Sequence, residues 1–362
     1  MASIDAFILS RARCPCYMSK LILSLKEASE KLGIELPHEL YAVEKEYPFL
    51  ISEYYLGLID KKNPFSDPIF RQTFPSTEEL IMNRSVSDDP QDEKGHSPLP
   101  RLVHRYKDRA LIYTTGSCAA FCRFCFRKRC WKKGSSKGEI SDEELSAIAA
   151  YLRKHKEVEE VLLSGGDPLM LSDKRLKLIL DVIERISSIQ TIRLASRVPV
   201  TFPERVTESL IKILSEFKNL WFVTHFNHPA ELTPEAMAVC QGITSSGIPM
   251  LNQTVLLKGV NDSPEILRTL FRALAEHRIK PYYLFHVDPV QGVAHFSTGI
   301  GKGLEILRYF RKNLSGLATP QFAIDLPDGG GKVNLQPSYS KDGKAFESVE
   351  GDRLITYPAE KV

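Results

Sequence analysis

No stretch of this 362-residue chain approaches the ~20 consecutive apolar residues that a membrane-crossing helix needs. Charge of one sign is not in excess either. The 48 Lys and Arg stand against 45 Asp and Glu, and a net +3 is too small to argue for nucleic acid or an anionic membrane. Any basic function must be local. The first 25 residues hold two short apolar runs broken by Arg11, Arg13 and Lys20, with no small-residue cleavage site behind a continuous apolar core, so no secretory signal is read there. Cysteines are few and odd in number, seven in all, and Cys118, Cys122 and Cys125 fall within eight residues where mutual disulfides would be strained. Reduced thiols and a cytoplasmic setting are therefore expected. Nothing in a composition 43% hydrophobic and 26% charged points to disorder or coiled coil. The length allows one large α/β domain with an extension, or two domains.

What is present is a change of pattern near residue 95. Residues 1–95 read as a helical, irregular extension that ends in SVSDDPQDEKGHSPLP, a polar stretch with the composition of an exposed linker or long loop. Beyond it, short β-branched runs alternate with amphipathic helices. Strands are predicted at Ala110–Thr115, Glu160–Ser164, Thr191–Ser196, Leu220–Phe226, Pro249–Leu257 and Pro281–Val287. Ser141 with Glu144, then Ser172, Thr233 and Ser263, mark helix starts between them. Six such units require a parallel sheet with helices outside, because parallel strands need crossover connections. An open sheet and a partial barrel both fit, and both place their chemistry in loops after the carboxyl ends of strands.

The run TTGSCAAFCRFCFRKRC meets that condition, since Cys118 lies three residues beyond the first predicted strand. A C-x3-C-x2-C triplet supplies three thiolates from one tight loop, which suits a 4Fe-4S cluster with one iron left without a protein ligand. Zinc, with Cys130 as fourth ligand, is the alternative, although zinc sites favour paired C-x2-C units and only one occurs here. Cys14 and Cys16 are assigned no function. Ser164-Gly165-Gly166-Asp167-Pro168 closes the second predicted strand, and a glycine pair alone says little there. At the far end, Asp325-Leu326-Pro327-Asp328 leads into Gly329, Gly330, Gly331 and Lys332. Three glycines give the backbone unusual freedom, and a lysine desolvated beyond them forms Schiff bases with a carbonyl cofactor such as pyridoxal phosphate. A flexible turn with a solvated lysine is the plainer reading. No Walker spacing is present.

The cysteine spacing, the aromatic Phe124 before the last cysteine, and the glycine turn one βα unit later resemble the radical S-adenosylmethionine superfamily. Joined to the lysine segment, and to SEYYLGLID, THFNHPAELT and GVNDS, they resemble the lysine 2,3-aminomutase family over roughly residues 49–339. The resemblance implies an α/β fold: a partial (βα)6 barrel over residues 96–300, with the helical extension before it and a C-terminal segment, 301–362, carrying the lysine. It implies three cofactors, the 4Fe-4S cluster, S-adenosyl-L-methionine cleaved to a 5′-deoxyadenosyl radical, and pyridoxal 5'-phosphate on Lys332. The reaction implied is the interconversion of L-lysine and L-β-lysine, fed by an electron donor such as flavodoxin or ferredoxin, in a chain that is a monomer or a homo-oligomer.

Position by position, the resemblance gives the cluster to Cys118, Cys122 and Cys125. It gives S-adenosylmethionine to Gly165, Gly166, Asp167, His225 and Gln253, and the pyridoxal phosphate group to Arg105 and Arg109. Arg127 takes the substrate carboxylate, its neighbours Lys128 and Arg129 being surface charge, and Asp288 and Asp325 take the ε-ammonium. His225 and Gln253 read equally well as buried, hydrogen-bonded core residues, and Arg105 and Arg109 as solvated or paired with Asp108. The alternative function is an aminomutase of the same mechanism on another amino acid, of the glutamate type or the kind that makes β-lysine for elongation factor P. A non-enzymatic iron-sulfur or zinc module is more distant, for it needs neither Lys332 nor the arginine pair. The family's C-terminal zinc-binding cysteines have no counterpart here. Ser263 stands where their partner is expected, and no cysteine follows Cys240.

Overall fold

The computed structural model describes residues 19–83, 86–131, 138–340 and 342–356; Cys14 and Cys16 lie outside them. Its centre is one nine-stranded sheet whose spatial order follows the chain: β1 (Leu102–Tyr106), β2 (Arg109–Thr115), β3 (Glu160–Gly165), β4 (Thr191–Ala195), β5 (Leu220–Thr224), β6 (Met250–Leu256), β7 (Ile279–His286), β8 (Gln321–Leu326) and β9 (Gly331–Leu335). All six predicted strands form, as β2 to β7, within about two residues of the expected bounds. Strands β2 to β8 run parallel, and β1 and β9 fold back antiparallel on the two ends.

The sheet therefore continues past residue 300, with a seventh parallel strand and an antiparallel partner. Asp325 and Lys332 are carried on these two strands, not on a loop. The two edge strands approach each other, because the Lys332 backbone N–H donates to Tyr106 Oη at 2.8 Å and Arg105 reaches Asp325. A ladder of backbone bonds is replaced there by side chains. The result is a nearly closed barrel.

Helices α1 (Asp142–Lys154), α2 (Asp173–Glu184), α3 (Glu208–Ser215), α4 (Pro234–Ser245), α5 (Pro264–Glu276) and α6 (Ile300–Asn313) cover the outside. Ser141, Ser172, Thr233 and Ser263 cap α1, α2, α4 and α5 as expected, each accepting a first-turn N–H, which contributes about 1 kcal/mol per helix. Period-two alternation sorts the strand side chains. Val161, Leu163, Ile192 and Leu194 are fully buried beneath the helices, whereas Leu162, Ser164, Arg193 and Ala195 face the interior of the barrel.

The extension packs into the same core. Four short helices, Leu25–Leu32, Leu40–Glu46, Glu53–Gly57 and Pro68–Thr73, place Leu25, Val43, Tyr55 and Phe70 in one continuous cluster with the barrel residues, joined by Phe49 from the link between the second and third helices. Among the described residues no helix is long and apolar enough to cross a membrane.

Candidate active site

The interior opens into a cavity of about 970 Å³ at the carboxyl ends of the strands, and every site residue expected from the sequence lines it. Cys118, Cys122 and Cys125 follow β2 on one loop and form no disulfide. The glycine turn after β3 presses against that loop. A Cβ on Gly165 would lie 2.5 Å from Thr115 O, and one on Gly166 2.2 Å from Ser117 O. Gly165, at φ 131, also holds a backbone conformation that other residues rarely adopt. The Gly166 and Asp167 N–H groups donate to Thr115 O and Ser117 O at 2.7 and 2.6 Å. Close approach is thus needed first by the cysteine loop itself.

Asp167 uses its carboxylate inward as well, accepting from Ser196 Oγ at 2.7 Å, Arg197 N at 2.7 Å and Leu169 N at 3.0 Å. Burial raises its pKa against those bonds. Arg197, which the sequence reading missed, donates from Nη1 to Cys122 Sγ at 2.7 Å. Its other terminal nitrogen bonds Gln72 at 2.6 Å and the fully buried Glu231 at 2.8 Å. The guanidinium is thus fixed against the sulfur. His225 donates from Nε2 to Asn227 Oδ1 at 3.0 Å, an oxygen that also accepts Val255 N–H at 2.9 Å. Burial and then the Arg197 charge push its pKa down to about 3, so the imidazole is neutral, with Nδ1 as acceptor. Gln253 stands where the β6–β7 register slips by one residue, an irregularity of the kind that re-aims side chains near sites.

At the opposite wall Asp325 and Lys332 are direct cross-strand partners. Lys332 Nζ lies 2.8 Å from Asp325 Oδ2 and 4.0 Å from the Phe285 ring centre, while Arg105 Nη2 lies 3.4 Å from Asp325 Oδ1. Arg109 pairs with Asp108 at 2.8 Å and stacks 3.8 Å from the Tyr106 ring centre. Among the described residues no cation lies within ion-pair distance of Asp288, and Lys332 and Arg127 act on it only from farther away. Burial and the neighbouring Asp325 carboxylate push it up to about 7, and Gln91 Nε2 approaches it at 3.5 Å.

Arg127 donates from Nη1 to Ser164 Oγ at 3.2 Å and is held bidentately by Glu93, at 2.7 and 3.0 Å. The expectation for its neighbours is corrected. Lys128 is only 1% exposed and donates to Glu79 at 2.7 Å, and Arg129 bonds Glu93 at 2.6 Å and Asp89 at 2.9 Å. Of the exposed linker or long loop expected for the stretch containing Asp89, Gln91 and Glu93, the long loop is what forms, with no helix or strand in it. Gln91 and Glu93 are turned into the cavity and Asp89 bonds Arg129, and only the surplus of acids just ahead of the arginine-rich cysteine loop hinted at it.

Residues 112–270 match the radical SAM superfamily. The chain is 42% identical over 293 residues to an L-lysine 2,3-aminomutase of Methanococcus maripaludis, covering 81% of this chain and 67% of that one. It is 39% identical over 322 residues to the L-lysine 2,3-aminomutase of Clostridium subterminale, covering 88% and 76%. The chain belongs to the lysine 2,3-aminomutase family of radical S-adenosylmethionine enzymes. It is an isomerase, whose family works with a 4Fe-4S cluster and S-adenosylmethionine. A glutamate 2,3-aminomutase of Clostridioides difficile is also 35% identical over 322 residues, covering 89% of this chain and 74% of that one.

The donor sets fit these groups. Three thiols from one loop, none in a disulfide, face a single cavity, with a buried guanidinium bonded to one sulfur, a donor set that suits a cluster with three protein ligands. Lys332, with Arg105 on the adjoining edge strand and Arg109 at the start of β2, fits a carbonyl cofactor carrying a phosphate.

Proposed function

We propose that the enzyme interconverts L-lysine and L-β-lysine by radical migration of the amino group, with pyridoxal phosphate on Lys332. The observation that carries this reading is the carboxylate pair. An Asp288 pushed up to about 7 beside Asp325 is a site short of one positive charge, and a substrate ammonium supplies it. Lys332 Nζ, 2.8 Å from Asp325, stands where such a cation is stabilised. Were Lys332 to hold the cofactor, its amine would be drawn off Asp325 and only Arg105, at 3.4 Å, would remain on that carboxylate.

When bound, the cluster and S-adenosylmethionine supply a carbon-centred radical that removes a hydrogen atom, and pyridoxal phosphate supplies a π-system over which the unpaired electron spreads. The chain's own residues hold and orient. Cys118, Cys122 and Cys125 are proposed as cluster ligands. Gly165 and Gly166 keep the cysteine loop against β3, Asp167 braces that turn to Arg197, and neutral His225 and Gln253 offer hydrogen bonds to S-adenosylmethionine. Arg105 and Arg109 are proposed for the cofactor phosphate, Arg127 for the α-carboxylate, and Asp288 with Asp325 for the ε-ammonium. Gripping both substrate ends fixes the carbon between them and leaves a reactive radical one hydrogen to take.

A panel of amino acids offered to reconstituted, reduced enzyme under anaerobic conditions tests the substrate: turnover of lysine is expected, and turnover of glutamate instead would sink the carboxylate-pair reasoning. Borohydride treatment of the pyridoxal phosphate-loaded protein should leave the cofactor's mass on the Lys332 peptide. Unchanged labelling and visible absorbance in Lys332→Ala would remove that assignment.

A further inference from the structure

We infer that Glu93 is a positioning residue for substrate selection: it locks Arg127 in the one orientation that leaves a paired N–H edge for the substrate carboxylate. The inference rests on the role proposed for Arg127. A guanidinium has five N–H donors. Glu93 Oε1 accepts from Nε at 3.0 Å and from Nη2 at 2.7 Å, and Ser164 Oγ takes one from Nη1 at 3.2 Å. By count, one N–H on each terminal nitrogen remains, as many as a bidentate carboxylate takes. The guanidinium plane is held as well, since the Tyr113 and Phe126 ring centres each lie 4.5 Å from Arg127 Cζ.

Glu93 is itself over-determined. It is 5% exposed, and Oε2 accepts Tyr113 Oη at 2.6 Å and Arg129 Nη2 at 2.6 Å. So many donors hold the carboxylate that it cannot turn without breaking several bonds. Charge balance points the same way: Arg127 and Arg129 are offset by Glu93 and Asp89, so attraction from a bare excess of positive charge does not select the carboxylate. Geometry must. Gln91, from the same stretch of chain, reaches Asp288 at 3.5 Å and accepts Arg105 Nη1 on its carbonyl at 3.3 Å, so one short segment touches the residues proposed for both ends of the substrate.

The test is equilibrium binding of L-lysine and of L-lysinamide, which lacks the carboxylate, to the pyridoxal phosphate-loaded protein, followed calorimetrically without reductant. Glu93→Gln keeps the shape but turns an N–H₂ toward donors. It is expected to weaken lysine binding about tenfold, the loss of one hydrogen bond to a charged group, and to leave lysinamide binding unchanged. Tyr113→Phe, which removes one brace and keeps the ring, should shift lysine in the same direction by less, and it carries the test if Glu93→Gln does not fold. Equal weakening of both ligands would overturn the inference, because Glu93 would then shape the cavity generally. If Arg127→Lys abolishes the preference for lysine while Glu93→Gln leaves it intact, the inference fails and the Arg127 reading stands. If Arg127→Lys also leaves the preference intact, the Arg127 reading falls and takes this inference with it.

Discussion

Binding of lysine should be linked to the loss of a proton from Asp288, and the structure sets both the size and the window of the effect. With Asp288 at about 7, roughly one molecule in ten carries it ionised one pH unit below that value, and roughly nine in ten one unit above. The ε-ammonium stays charged throughout, having an ordinary pKa near ~10.4. Apparent affinity for lysine should therefore be about tenfold weaker near pH ~6 than near pH ~8, a difference of about 1.4 kcal/mol, and should level off above that. Stability of the unliganded protein has the opposite sign. Because the folded state holds this proton more tightly than the unfolded chain, Asp288 favours folding below its unfolded pKa and loses that contribution as pH rises to about 7. Calorimetric titration of lysine into the pyridoxal phosphate-loaded protein, in two buffers of different ionisation enthalpy, measures the proton released. Asp288→Asn is the control that isolates the group. A flat affinity profile in the native protein, or an unchanged slope in Asp288→Asn, would refute the reasoning.

Two further substitutions probe the scaffold behind the site. Gly166→Ala places a methyl 2.2 Å from Ser117 O, which is backbone and cannot swing aside; a cost of about 1–3 kcal/mol and a cysteine loop pushed out of place should appear as a lowered melting temperature and reduced iron after reconstitution, and full iron content would contradict the packing argument. Glu79→Gln leaves the buried Arg123 and Lys128 without their shared carboxylate, bonded at 3.0 and 2.7 Å; chemical denaturation should show a loss of about 3–5 kcal/mol, and a loss below about 1 kcal/mol would mean that the backbone carbonyls around these cations suffice.

The parallel strands and their caps were legible because each rests on local pattern: alternation along β3 and β4, and a side-chain oxygen placed three residues ahead of its N–H at Ser141. The cysteine triplet and Lys332 were legible because few other roles call for those residues in that order. The rest depends on contacts between distant parts of the chain. Lys128 looked like surface charge because only the fold reveals that Glu79, 49 residues earlier, comes within 2.7 Å of it. Arg197 bonds a sulfur 75 residues before it, and nothing near either position marks the pair. The acidic stretch around Glu93 misled for a related reason: acids near prolines are usually solvated, and composition does not record which way a side chain faces.

Closure of the barrel explains why charges from both ends of the chain share one wall. Strands β1 and β9 are the two edges of the sheet, and edges left open invite pairing with other chains. Here β1 meets β9 through Tyr106 Oη on the Lys332 N–H, and reaches past it to β8 through Arg105 on Asp325. The groups that seal the seam are therefore the groups next to the reactive lysine. Gly331 carries the consequence in its backbone, at φ 87, with room for only a van der Waals contact to Tyr106 Oη, 3.5 Å from where a Cβ would sit. Strand β9 can thus enter against the hydroxyl and bring Lys332 level with Asp325. Tyr106→Phe removes the acceptor from a part-buried N–H and frees this edge. It should lower stability by about 1–2 kcal/mol and raise hydrogen exchange at the Lys332 amide far more than at the amides of β3 or β4. Equal exchange at the two places would mean that the seam is held by something other than this bond.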